Sequence, residues 1–211
     1  MTGTRAARAA ETEAALKAAA KRVFARTGYL KAKITDITAE ADRAAGSFYS
    51  HFGDKESLLE ALLADMLDEV DTQVEQPDHS PDFTDPAAVR WHVARYWDFV
   101  RENRAVVIAL HQAAMVDDGF ARRLREMLAP NTRDIADHLD HIRAAGGELP
   151  GDPVVVASAM VSLIAQFTYT WLVDGGEELG RELGDDEALD TLTAFIYRGI
   201  AGVPHITLSP M

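Results

Sequence analysis

The sequence predicts an all-α protein with a short N-terminal group of helices followed by a longer helical body. Three observations carry that expectation. Apolar residues recur at three- and four-residue intervals along most of the chain, no alternating strand pattern of useful length is present, and glycine or proline stands between the periodic blocks. Leu16, Ala20, Val23 and Phe24 mark a first helix, with Gly28 at its expected stop. Ile34, Ile37 and Ala41 suggest a short second helix, and residues 43–51, closed by Phe48, Tyr49 and Phe52, a third. After a turn at Gly53, the residues Leu58, Leu59, Leu62, Leu63, Met66 and Val70 define a fourth, for which Asp54 is a suitable N-cap. The acidic stretch 71–86, broken by Pro77, Pro81 and Pro86, reads as a connection. Beyond it, helices are expected over about 87–116, 120–145, 153–174 and 185–199, separated by Asp117-Asp118-Gly119, Gly146-Gly147 and Gly175-Gly176.

At 211 residues and 47% apolar, the chain is long enough for one ordinary globular body or two small ones. It contains no cysteine, which removes disulfides, thiolate catalysis and thiolate metal sites and fits a cytoplasmic protein. The alanine-rich start carries Arg5 and Arg8 but no apolar core before Glu11 and Glu13, so a secretory signal is not expected. Residues 154–173 lack charge for about the length that spans a bilayer, yet Ser158, Ser162, Gln166, Thr168 and Thr170 interrupt them; a buried helix and no membrane association are expected.

The net charge of -13 argues against indiscriminate coating of nucleic acid. The average hides an asymmetry. Residues 1–57 carry ten Lys/Arg against seven Asp/Glu, a balance of +3, and the rest carries eleven Arg against twenty-seven Asp/Glu, a balance of -16. Such a chain presents a mildly basic head to a polyanion and holds its acidic body away.

Two short helices joined by a tight turn meet the physical requirement of a helix-turn-helix reader, in which residues 35–41 would brace and residues 44–51 would enter the major groove. The segment from Ile34 to Leu59, centred on Gly46-Ser47-Phe48-Tyr49-Ser50-His51-Phe52-Gly53-Asp54-Lys55, with Phe24, Gly28 and Tyr29 upstream, resembles the TetR family of transcriptional regulators. The resemblance implies an N-terminal three-helix helix-turn-helix DNA-binding domain over 1–57, joined to a helical ligand-binding and dimerisation domain over 58–211. It implies a non-enzymatic repressor without cofactors, which binds a palindromic double-stranded operator as a homodimer and is released by a small-molecule effector. It places Ala44, Ala45, Gly46, Ser47 and Tyr49 at DNA, with Tyr49 and His51 reaching phosphates or base edges and Lys55 gripping a phosphate. Phe48 and Phe52 are expected to pack inside. Gly46 permits close approach either to phosphate or to a neighbouring helix, and Ser47 can donate to phosphate or cap locally.

Three residues depart from the family's pattern. Asp42 stands where glycine usually makes the turn, Arg43 where a small apolar residue packs beneath it, and Ala44 where a serine caps the next helix. An early helix start capped by Asp42 would reconcile them and turn Arg43 toward phosphate. Lys33 replaces a capping Ser or Thr and is assigned to phosphate. The reading segment lacks Asn, Gln and Lys, so operator choice is expected to rest on Arg43, Ser47, Tyr49, His51 and DNA shape.

By the same resemblance the two last helices form the dimer interface, with Val161, Ile164 and Thr168 on one and Leu189, Leu192, Phe195 and Ile196 on the other. Ligand-binding candidates are Trp91, Tyr96, Trp97, Val100, Val107, His111, Met115, Phe167, Tyr169 and Trp171, an aromatic set with few polar handles. The rival is a helical metal-binding enzyme built on Asp134, His138 and His141 at i, i+4 and i+7; a solvated helix flank explains them more simply, and no metal site is expected. An interaction module with decayed DNA binding is the third reading.

Overall fold

The computed structural model describes residues 3–74, 79–176 and 179–200, and among these it is built from helices without strands. In chain order they are α1 (Gly3–Thr27), α2 (Ile34–Glu40), α3 (Ala45–Tyr49), α4 (Lys55–Val74), α5 (Pro86–Glu102), α6 (Arg104–Val116), α7 (Asp118–Ala144), α8 (Pro153–Thr168) and α9 (Asp185–Ile200). α4 runs past the expected connection point at Asp71, and Pro77 lies outside the described residues.

The helices divide into two compact units, residues 1–71 with 103–127, and residues 72–102 with 128–211. Packing groups α4, α6 and the start of α7 with α1, α2 and α3, across the functional boundary expected at residue 57. In the first unit, Leu16, Ala19, Ala20, Val23 and Phe24 form the buried stripe of α1, and Ile37, Phe48, Leu58, Leu59, Leu62 and Leu63 are buried on α2, α3 and α4. The second unit closes over Phe83, Val89, Val93, Leu139, Ile142, Ala157, Met160, Leu192 and Ile196. Each of the Val, Leu, Ile, Phe and Met side chains among these stabilises its unit by roughly 1.5–3 kcal/mol through burial.

Helix starts follow the chemistry of the sequence. Asp54 accepts the Ser57 N–H at 2.7 Å, Asp117 accepts the Phe120 N–H at 2.8 Å, and Asp152 accepts from Val154 at 3.0 Å and Val155 at 3.4 Å. Two expected helices are interrupted. The one over 87–116 breaks at Asn103, which leaves helical geometry at φ -113° and ψ 22°. Asparagine is a weak helix former, and the apolar periodicity on either side conceals the break. The one over 153–174 stays regular only to Thr168, then widens into a π-helical turn over Tyr169–Val173. Gly176 follows at φ +62°, with the Trp171 ring so close that a Cβ there would lie 2.4 Å from ring carbon Cε3.

Asp42 is the one described non-glycine residue at positive φ, +53°. Relieving this conformation with Asp42→Gly is expected to raise unfolding free energy by about 0.5 kcal/mol, and Asp42→Val to lower it by about 1–2 kcal/mol, in denaturant titrations.

Candidate functional site

The geometry around α2 and α3 begins with that residue. The Asp42 N–H donates to the Ala39 carbonyl at 3.2 Å and the Arg43 N–H to the Thr38 carbonyl at 2.9 Å, which makes Asp42 the left-handed residue of a Schellman stop on α2. The expected early start of α3 is thereby overturned: Asp42 ends α2 instead of capping α3. The N-cap of α3 is Ala44, which has no side chain to offer the free N–H groups. On the other side, Glu40 at the end of α2 receives Arg22 at 2.7 Å and Arg26 at 3.2 Å, both from α1. These guanidiniums, hydrogen bonding from Arg22 first, hold the Glu40 carboxyl below its ordinary range.

The reading segment is held by its apolar side and open on the other. Phe48 is fully buried, 5.6 Å from Phe52 between ring centroids, whereas Tyr49 is 61% exposed. Ala44, Ala45 and Gly46 are exposed and Ser47 half-buried. A Cβ built on Gly46 would meet nothing within 4 Å, so no neighbouring helix in this subunit requires the glycine. Lys33 is exposed at the start of α2, where its own N–H donates to Asp36 at 3.0 Å.

Three assigned DNA contacts are engaged within the protein. Arg43 turns back on the Asp42 carbonyl at 3.0 Å and reaches Glu11 of α1 at 3.4 Å. His51 is half-buried, with Nδ1 3.8 Å from a Glu13 oxygen. Lys55 points inward: its Nζ donates to the Tyr29 carbonyl at 2.7 Å and the Ala32 carbonyl at 3.1 Å, and lies 4.0 Å from the centre of the Tyr29 ring. Burial pushes its pKa down. An ammonium at a helix start is unfavourable to the dipole; here it ties α4 to the segment that leads from α1 into α2.

Two residues of this clasp escape sequence reasoning. Glu56 accepts the Tyr29 hydroxyl, and Gln112 of α6 accepts the Tyr29 N–H at 3.0 Å. Burial, with the Glu56 hydrogen bond second, drives the Tyr29 pKa upward and keeps the phenol a donor. A glutamine 83 residues distant from Tyr29 carries no local signal of that pairing.

The ligand candidates fall in both units. Trp91, Tyr96, Trp97, Val100, Phe167, Tyr169 and Trp171 belong to the second, and Val107, His111 and Met115 to the first. The structure brings Trp97, Phe167 and Trp171 into one aromatic string, at 6.3 Å and 6.1 Å between successive centroids. Trp97 and Val100 are buried, and the Trp97 indole N–H donates to Asp185 at 3.0 Å, which makes it a core anchor. His111, expected on an apolar face, is exposed, and so is Met115 at 85%.

Of the dimer candidates, Thr168 on α8 is buried, and Leu192 and Ile196 are buried in the subunit's own core because the apolar stripe of α9 is spent on α5 and α8. Phe195 is 67% exposed, and Val161, Ile164 and Leu189 are half-buried. The apolar helix α8 is covered on one side only: Val156, Ala157 and Met160 are buried while Val154 and Val155 are exposed. In the metal rival, Asp134 and His141 are exposed, and among the described residues the group close enough to share an ion is His79, His92 and His138.

Comparison with known proteins places this geometry. The family model described as bacterial regulatory proteins, tetR family, matches residues 16–62. The chain is 36% identical over 208 residues to "Probable HTH-type transcriptional regulator ArpR" of Pseudomonas putida, covering 96% of this chain and 94% of that one. Among solved structures it is similar to the regulator FadR from Bacillus subtilis in complex with stearoyl-CoA, at TM-score 0.73 and 15% identity over 88% of this chain and 98% of that one. It is also similar to the fatty acid degradation regulator FadR from Bacillus halodurans, at TM-score 0.71 and 17% identity over 89% and 95%.

The clasp makes Lys55 a structural residue of the first unit. Lys55→Met is expected to lower the unfolding free energy by about 2 kcal/mol in denaturant titration, because two carbonyls lose a charged donor.

Proposed function

The chain belongs to the TetR family of bacterial regulatory proteins, a DNA-binding transcriptional regulator, and on that premise we propose that it acts in the cytoplasm as a homodimeric repressor, reading a two-fold operator through the exposed side of α3. The observation that carries this reading is Gly46. A glycine inside a helix costs roughly 0.5–1 kcal/mol relative to alanine, and nothing within 4 Å of Gly46 demands one. The open space beside it supports a close approach of DNA to the α3 backbone. Exposed Ala44, Ala45 and Tyr49, with half-buried Ser47 beside them, complete a low-relief surface suited to a phosphate backbone. Lys33 supplies positive charge, and the basic balance of residues 1–57 supports DNA binding by that end. Arg43 and His51 reach DNA only on leaving Glu11 and Glu13, and Lys55 acts by holding α4 in place.

A second copy is the partner that the open side of α8 favours. Val154 and Val155, with Phe195 on α9, leave apolar surface in water that a two-fold pairing of these helices would cover. Dimerisation also doubles the DNA contact of a small reader and spaces two half-sites by a helical turn or its multiple. Effector binding is assigned to residues 58–211, where the aromatic string of Trp97, Phe167 and Trp171 supports an apolar or aromatic ligand, and release by ligand follows the family's commoner mode.

Two substitutions test this reading. Gly46→Ala is expected to raise stability by about 0.5–1 kcal/mol while weakening operator binding about tenfold in fluorescence anisotropy. Unchanged affinity in this variant would remove α3 from the interface. Phe195→Glu is expected to shift the protein from dimer to folded monomer in light scattering; a persistent dimer would move the interface elsewhere.

A further inference from the structure

Three histidines far apart in the sequence meet within the second unit: His79 ahead of α5, His92 on α5 and His138 on α7, all half-buried. Two of the rings are pinned from behind. His92 Nδ1 lies 2.9 Å from the Ala88 carbonyl, and His138 Nδ1 lies 2.5 Å from the Asp134 carbonyl, each one helical turn earlier. A carbonyl only accepts, so both Nδ1 atoms carry a proton, and in the neutral ring the lone pair is left on Nε2. His138 Nε2 faces His79 Nε2 at 3.3 Å.

We propose that His79, His92 and His138 form a binding site for a divalent transition-metal ion of the zinc class, with three imidazole nitrogens as ligands and a fourth position open to water.

Spacing, orientation and environment each support the site. Two nitrogens at roughly 2.0–2.1 Å from a tetrahedral zinc ion stand about 3.3–3.4 Å apart. The His79 and His138 pair has that separation already, and the three ligand atoms all lie within 4.8 Å of one another, so small ring rotations complete the set. The Ala88 and Asp134 carbonyls fix tautomer and ring plane as outer partners of metal-bound histidines do. Phe83, 1% exposed, packs its ring 4.9 Å from His92 and 5.2 Å from His138, and Trp91 lies 5.0 Å from both His79 and His92. This wall shields the three rings from bulk water on its side of the site. Without metal, the His79 Nε2–H donates to the His138 Nε2 lone pair; a cation seated to one side of that line would displace the hydrogen bond as both rings rotate toward it, and His79 would then carry its proton on Nδ1.

The test uses the full-length, tag-free protein, stripped with chelator and titrated with Co²⁺ alone. The site predicts one ion per chain, the intense visible absorption of tetrahedral Co²⁺, and its loss on addition of Zn²⁺. His92→Ala and His138→Gln are expected to weaken Co²⁺ binding at least tenfold with helical circular dichroism retained, and His111→Ala to leave it unchanged. X-ray absorption of the Zn²⁺-loaded wild type, which needs no variant, should find three imidazoles in the first shell. The weak absorption of octahedral Co²⁺, a stoichiometry well below one, fewer than three imidazoles, or histidine variants that bind as tightly as wild type would overturn the proposal.

Discussion

The direction in which α3 leaves α2 is set by one residue in left-handed geometry, and everything the reader presents depends on it. Asp42 at φ +53° allows the Arg43 N–H to close on Thr38, stopping α2 abruptly enough for a five-residue helix to follow. Such a short helix has too few internal hydrogen bonds to persist alone. Tertiary contacts hold it: Phe48 is buried beneath it, and Lys55 ties the following helix to the carbonyls of Tyr29 and Ala32. Aspartate tolerates that geometry better than most residues, though less well than glycine. The reader is assembled around a small strain, secured on both flanks.

Electrostatics impose the second constraint. A chain of net charge -13 approaches a polyanion only by its least acidic end, and much of that end's positive charge is committed internally. Lys17 pairs with Glu13 and Asp65, Arg22 and Arg26 with Glu40, and Arg43 with Glu11. These pairs brace α1 against its neighbours. An Arg43 contact with DNA, as proposed, would have to compete with the Glu11 carboxylate, and screening by salt weakens both.

The helical plan was legible because apolar periodicity and aspartate caps are local signals: the stripe from Leu16 to Phe24 and the cap at Asp54 both stand where the sequence puts them. Two interruptions were hidden. Asn103 breaks a helix without glycine or proline to announce it, and the π-helical turn over Tyr169–Val173 continues the apolar run of α8 with no local signal of the change. Site assignments were less legible. Lys55 has the composition of a phosphate contact but donates to backbone carbonyls within the protein, and Arg43 lies against Glu11, since nothing in a sequence says which way a long side chain turns. Leu192 and Ile196 form an apolar stripe that suits either a core or an interface, and packing against α5 and α8 spends it on the core. His138 was visible as a helix-flank residue beside Asp134 and His141, but its real neighbours come from 59 and 46 positions upstream.

DNA binding by the basic end of this acidic chain, through α3 and its flanks in the proposed dimer, would register in the salt dependence of its affinity for the DNA beside its own gene. Log K should fall linearly with log salt concentration, and the slope should be shallower by about 2 in Lys33→Ala, because the dimer loses one phosphate contact from each of its two subunits. A flat line, or a slope indifferent to Lys33, would contradict this mode of binding.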